Sequence, residues 1–158
     1  MWVLIRAVTY ATLFIGFVLV LLPVWLLSWS GITTIPVIGV WQVFGMTMAG
    51  AGAATALSCV LTFVFLGKGT PAPFDPPQRL VVGGPYRVVR NPMYVGGGLV
   101  LVGVALFYKS IPLLVYAGVL ALITHLLVVF YEEPTLRRQF GNDYEVYCGH
   151  VGRWWPRL

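Results

Sequence analysis

The chain has 158 residues, of which 59% are hydrophobic and 9% charged, with a formal net charge of +5 and a mean hydropathy of +0.87. A soluble domain carries about 25% charged residues, so the composition excludes an ordinary water-soluble fold and indicates one compact all-α membrane domain. No basic run resembles a nucleic-acid arm, so the Lys and Arg excess reads as membrane orientation or contact with anionic lipid.

The first apolar run extends from about Trp2 to Trp29, with Pro23 near its end, and the second from about Val40 to Leu66. Both exceed the roughly 20 residues that a helix needs to cross hydrocarbon. The first run lacks a small-residue cleavage site and reads as a retained span. Through residue 67 the only charged side chain is Arg6. Residues 1–66 therefore read as two scaffold spans, and residues 67–158 carry the chemistry.

The loop GKGTPAPFDPPQRLVVGG has four prolines and four glycines in 18 residues and is not expected to be regular helix. Asn91-Pro92 then opens a third span that ends near Tyr108. Asn suits the N-cap and Pro the first helical position. A turn at Lys109-Ser110-Ile111-Pro112 folds the chain into a hairpin, and a fourth span runs from Pro112 to Tyr131. The tail after Glu133 is expected to lie on the membrane surface as one or two short amphipathic helices, with Leu136, Phe140, Tyr144 and Tyr147 as the apolar stripe. Trp154-Trp155 would suit the interface.

With four spans, Arg6, Lys68, Arg79, Arg87, Arg90, Arg137, Arg138, Arg153 and Arg157 share one side and Lys109 stands alone on the other. Nine against one places both termini in the cytoplasm. The hairpin brings Arg90-Asn91 beside Glu132-Glu133 on that rim. A basic cluster facing an acidic pair suits a zwitterionic ligand. The plainer alternatives are lipid-phosphate contacts for Arg87 and Arg90 and an i,i+4 pair of Glu133 with Arg137. Gly96-Gly97-Gly98 and Gly103 allow either close helix packing or a ligand ring against bare backbone. His125, in mid-span, is either functional or satisfied by an interhelical hydrogen bond. Cys59 and Cys148 suggest neither a disulfide framework nor a zinc site, and no serine triad or phosphate loop is present. No metal and no protein partner is expected.

GPYRVVRNPMYVG, followed some 40 residues later by EEPTLRRQFGNDYEVYCGHV, resembles the integral-membrane methyltransferases, which include isoprenylcysteine carboxyl methyltransferase and the phospholipid N-methyltransferases. The resemblance covers roughly residues 67–156. It implies S-adenosylmethionine as methyl donor and a lipophilic acceptor, either a prenylcysteine carboxylate or a phospholipid amine. It places Tyr86, Arg90, Asn91, Pro92, Tyr94, Gly97, Glu132, Glu133 and Tyr144 at the cofactor, with Phe140-Gly141 in the segment that closes over it. Arg87 and Arg153 are candidates for orienting the acceptor. Gly50 and Gly52 could correspond to a Gly-x-Gly of the phospholipid enzymes. Two positions depart from the carboxyl methyltransferase pattern: Asn91 replaces His, and Gly152 stands where a Val-Pro pair is usual. The tail pattern also resembles NADPH-dependent sterol reductases, which have many more spans. A non-enzymatic membrane scaffold is the third alternative.

Overall fold

A computed structural model describes residues 16–62 and 80–157. The start of the first span, Phe63 to Leu66, most of the proline-rich loop, and the charges Arg6, Lys68, Asp75 and Arg79 lie outside the described residues. The rest is helical: α1 (Leu22–Trp29), α2 (Val40–Thr62), α3 (Pro92–Tyr108), α4 (Ile111–Leu127), α5 (Glu133–Phe140) and α6 (Asn142–His150). A π-helical turn, Phe17–Leu21, leads into α1. Another, Val128–Glu132, joins α4 to α5 without a break.

Two helices among the described residues are long and apolar enough to cross a membrane, Val40–Thr62 and the 30-residue run Ile111–Phe140. Phe17–Trp29 and Pro92–Tyr108 are apolar but shorter. Of the four expected spans, two therefore have the length to cross among the described residues. At 1.5 Å per residue α3 spans about 25 Å, less than the roughly 30 Å of hydrocarbon.

α3 is the centre of the bundle. Against α2 it packs through two reciprocal glycine pairs. A Cβ on Gly45 would stand 2.5 Å from the Gly103 carbonyl oxygen, and one on Gly96 would stand 2.8 Å from that of Gly52. The pairs are seven residues apart on both helices and run in opposite order, so α2 and α3 are antiparallel. Seven residues are close to two turns, which keeps both pairs on one seam. Bare backbone at the seam lets the helices approach closely, as small residues do within membranes. Packing is thus the role that the contacts give Gly52, Gly96 and Gly103. Gln42 ties the far end of this seam: its amide donates to the Phe107 carbonyl at 3.1 Å.

α1 covers another side of α3. Leu27 of α1 meets Ala105 of α3 and Leu113 of α4 in one buried cluster. The π turn before α1 has a specific cause. Leu22 N–H bonds to the carbonyl five residues back, that of Phe17. The next bond in this pattern would use the N–H of residue 23, which is proline and has none. The Val18 carbonyl is served instead by the Tyr116 hydroxyl of α4, at 2.9 Å. In the hairpin turn, Lys109 takes the left-handed conformation (φ 51°). Ser110 caps α4 by accepting from Leu113 N–H at 3.3 Å.

The tail differs from the single amphipathic stripe expected. Gly141, with φ 53° and ψ −125°, ends α5 and redirects α6, a backbone state that favours glycine. Leu136 and Phe140 therefore sit on a different helix from Tyr144 and Tyr147. Tyr144 turns inward and is 3% exposed.

Candidate functional site

The site is assembled from four stretches that meet at one end of the bundle. The first is the 3-10 turn Gly84–Arg87, anchored by Tyr86. The Tyr86 ring is buried with Cys59 of α2 and Val81, and Met93 packs on them. Its carbonyl accepts from the Tyr147 hydroxyl at 2.6 Å. Burial raises the ionisation of both phenols well above the ordinary tyrosine value. Gly84 has φ 57° and packs against the Thr62 side chain, which fixes the turn to the end of α2.

The second stretch is the tail, residues 151–154. Val89 and Gly152 form an isolated parallel bridge, and Arg90 N–H donates to the Gly152 carbonyl at 2.8 Å. Any side chain at position 152 would collide with the Trp155 carbonyl, so glycine is needed for this approach. Asn91 also differs from its expected role. It begins α3, but its side chain makes no capping bond and instead donates to the Arg153 carbonyl at 3.3 Å. Gly152 and Asn91 thus take part in neighbouring contacts between the start of α3 and the tail.

The third stretch is the π turn and the start of α5. Val128 and Glu133 are five residues apart, and both are buried, at 1% and 5% exposure. In an α-helix, five residues rotate about 500°, leaving the two side chains some 140° apart. The π turn, with Glu133 N–H bonded to the Val128 carbonyl, brings both to the inner side. π turns of this sort recur at functional sites. The fourth stretch is the first turn of α3, which supplies Pro92 and Tyr94.

The paired glutamates have different surroundings. Arg153 clasps Glu133 through Nε to Oε1 at 2.6 Å and Nη2 to Oε2 at 2.8 Å. Arg90 Nη1 stands 3.1 Å from Glu133 Oε1. One buried carboxylate thus compensates two guanidiniums, and its bidentate geometry is the strong form of this contact. The bond to Glu133 is the main reason the Arg153 guanidinium is held above its ordinary value. The alternative Glu133–Arg137 pairing is not formed: Arg137 bonds Glu145 at 3.1 Å, with both side chains half exposed. Glu132 accepts from the Tyr94 hydroxyl and forms no ion pair among the described residues.

Arg90 also donates to Cys148 Sγ at 2.7 Å, while its Nε is buried with no acceptor among the described residues. Tyr144 lies beside Arg90 and Glu133, and burial is the chief reason its phenol pKa is raised above the ordinary tyrosine value. Gly97 faces Leu19, 3.8 Å from where its Cβ would stand, and Arg87 is exposed. Of the two candidates for orienting an acceptor, Arg153 is engaged by Glu133.

His125 is satisfied by a hydrogen bond, though from the irregular tail and not from another helix: Trp154 Nε1 donates to His125 Nδ1 at 3.0 Å. Sequence reasoning placed Trp154 with Trp155 at the interface. Trp155 is 81% exposed, whereas Trp154 turns inward, 6.5 Å from the Tyr94 ring. No periodicity in an irregular tail could have separated the two. A groove of about 320 Å³ lined by Trp41, Ala105, Leu106, Lys109, Ser110, Ile111 and Leu114 lies at the opposite end of α3. It is far from these groups and contributes nothing to them.

A family model described as phospholipid methyltransferase matches residues 40–143 of the chain. The match starts at the first residue of α2 and ends at the second of α6. It takes in α2, which the sequence motifs did not, and leaves out the 151–154 tail. No curated protein and no solved structure matches.

Proposed function

The chain belongs to the phospholipid methyltransferase family, and on that premise we propose that it transfers a methyl group from S-adenosylmethionine to a lipophilic acceptor at the Arg90–Glu132 end of the bundle. The family supports a membrane methyltransferase acting on lipid. The donor, the acceptor and the residues that serve them are our reading.

The observation that carries it is the difference between the two glutamates. Glu133 is fully occupied by arginines. Glu132 is a half-buried carboxylate with a tyrosine hydroxyl as its partner and no cation among the described residues. Arg90, paired with the neighbouring Glu133, has at Nε a buried N–H without an acceptor among the described residues. A carboxylate lacking a cation and a donor lacking an acceptor are the two deficits that an amino-acid zwitterion removes. The donor set therefore fits the methionine portion of the cofactor. Glu132 would hold its ammonium and Arg90 its carboxylate. Tyr94 keeps Glu132 oriented, and Trp154 and Tyr144 exclude water from the pair. When bound, S-adenosylmethionine supplies a sulfonium-activated methyl group. An environment of low polarity strengthens every charge contact made there, and holding both reactants in line supplies much of the rate.

The site would face the cytoplasm with both termini, following the excess of positive charge on that side. A reporter fused to the C-terminus and found outside the cytoplasm would refute this. The principal test is titration of S-adenosylmethionine into the detergent-solubilised protein, followed by labelled-methyl transfer into a total lipid extract. Saturable binding that Glu132→Gln and Arg90→Ala each weaken at least tenfold is expected. Binding of NADPH instead, or of neither molecule, would overturn the reading.

A further inference from the structure

Trp154 lies outside the family match yet touches two residues around the site. Its indole donates to His125 at 3.0 Å. Its ring stands 6.0 Å from the imidazole and 6.5 Å from the Tyr94 ring, tilted by 57°. An indole N–H can only donate, so the imidazole nitrogen facing it must present a lone pair. His125 therefore carries its proton on Nε2. A doubly protonated imidazole has no acceptor, so this bond cannot coexist with one.

The preceding residue, Arg153, clasps Glu133, eight residues beyond His125 on the same helical run and about 12 Å further along it. Two adjacent tail residues thus hold the helix at two separate points. Bonds from Arg90 and Asn91 also hold the tail to the start of α3; Trp154 adds the hold at His125. The indole then backs the Tyr94 ring, whose hydroxyl is bound to Glu132.

We infer that His125 and Trp154 are positioning residues: they form a clip that holds Tyr94 against Glu132 and so sets the geometry of the proposed ammonium-binding carboxylate. This rests on the methyltransferase reading for what the carboxylate binds, but the clip itself is testable separately.

The chain contains only two histidines, so ¹⁵N-histidine NMR of the whole protein in detergent resolves His125 from His150 once His150→Gln supplies the assignment. The wild type should show His125 as the single Nε2–H tautomer. Trp154→Phe keeps a ring but removes the N–H, and should release a mixture of tautomers. It should also weaken S-adenosylmethionine binding roughly threefold to tenfold, the equivalent of one net hydrogen bond. His125→Phe should do the same, His125→Gln should retain binding because its amide oxygen still accepts, and the double variant His125→Phe/Trp154→Phe should be no worse than either single one. Trp155→Phe should change nothing. An unchanged ¹⁵N spectrum in Trp154→Phe, or additive losses in the double variant, would overturn the clip. Should the wild type not bind S-adenosylmethionine, the methyltransferase reading fails. The clip is then decided by the NMR and by thermal midpoints of Trp154→Phe, Tyr94→Phe and their combination, where additive shifts refute it.

Discussion

Adjacent glutamates in one motif should fail in different ways. Glu133→Gln preserves shape but removes the charge that compensates Arg90 and Arg153. The Glu133 side chain is 7% exposed, Arg90 12% and Arg153 33%. Breaking a buried pair by neutralising one partner costs about 3–5 kcal/mol. Arg153 is a third exposed, so water re-solvates part of it and the lower end, about 3 kcal/mol, applies. At this chain length 1 kcal/mol corresponds to roughly 2–4 °C, so the midpoint should fall by about 6–12 °C. Glu132→Gln loses a charge paired with no cation among the described residues and keeps an acceptor for Tyr94. Its cost should be below about 1 kcal/mol, with the loss appearing in cofactor binding instead. Thermal unfolding in one detergent, followed by tryptophan fluorescence, compares the two. Equal shifts, or Glu133→Gln melting with the wild type, would refute the assignment of stability to one carboxylate and binding to the other.

Gly103→Val should destabilise by roughly 1–3 kcal/mol, because its Cβ would stand 2.6 Å from the Ala49 backbone nitrogen and α2 and α3 would have to separate. Gly98→Ala, with nothing within 4 Å, should be neutral or slightly stabilising; chemical denaturation in micelles reads both. Tyr116→Phe should cost about 1–3 kcal/mol by orphaning the Val18 carbonyl, and less in a Pro23→Ala background, where residue 23 regains an N–H; equal costs in the two backgrounds would refute the proline explanation of the π turn. Arg137→Ala should change the unfolding free energy by less than about 0.5 kcal/mol, since its pair with Glu145 is half exposed on both sides.

The meeting of Arg90 with the Glu132-Glu133 end was legible before any coordinates, because a helical hairpin must return its second end to the level of its first beginning. Asn91-Pro92 marked the start of α3, and the Lys109–Pro112 turn that of α4, for similarly local reasons. Three features resisted such reading. The π turn before Glu133 leaves no periodic signal in five residues. The division of labour between the glutamates depends on an arginine 20 residues downstream. Asn91 has the composition of a cap, yet its side chain reaches the tail because a closer tertiary partner competes for it.

What the sequence by itself determined was therefore the membrane class, the helical hairpin and the charged rim. These follow from hydropathy, helix-breaking residues and chain direction, all of which act over a few turns. Only the tertiary structure decided which glutamate is neutralised, which glycines form the α2–α3 seam, and which tryptophan turns inward. Those outcomes depend on a tail folding back across the bundle. There, one missing side chain at Gly152 lets two backbones meet, and that contact places Arg153 and Trp154 on the helix carrying His125 and Glu133.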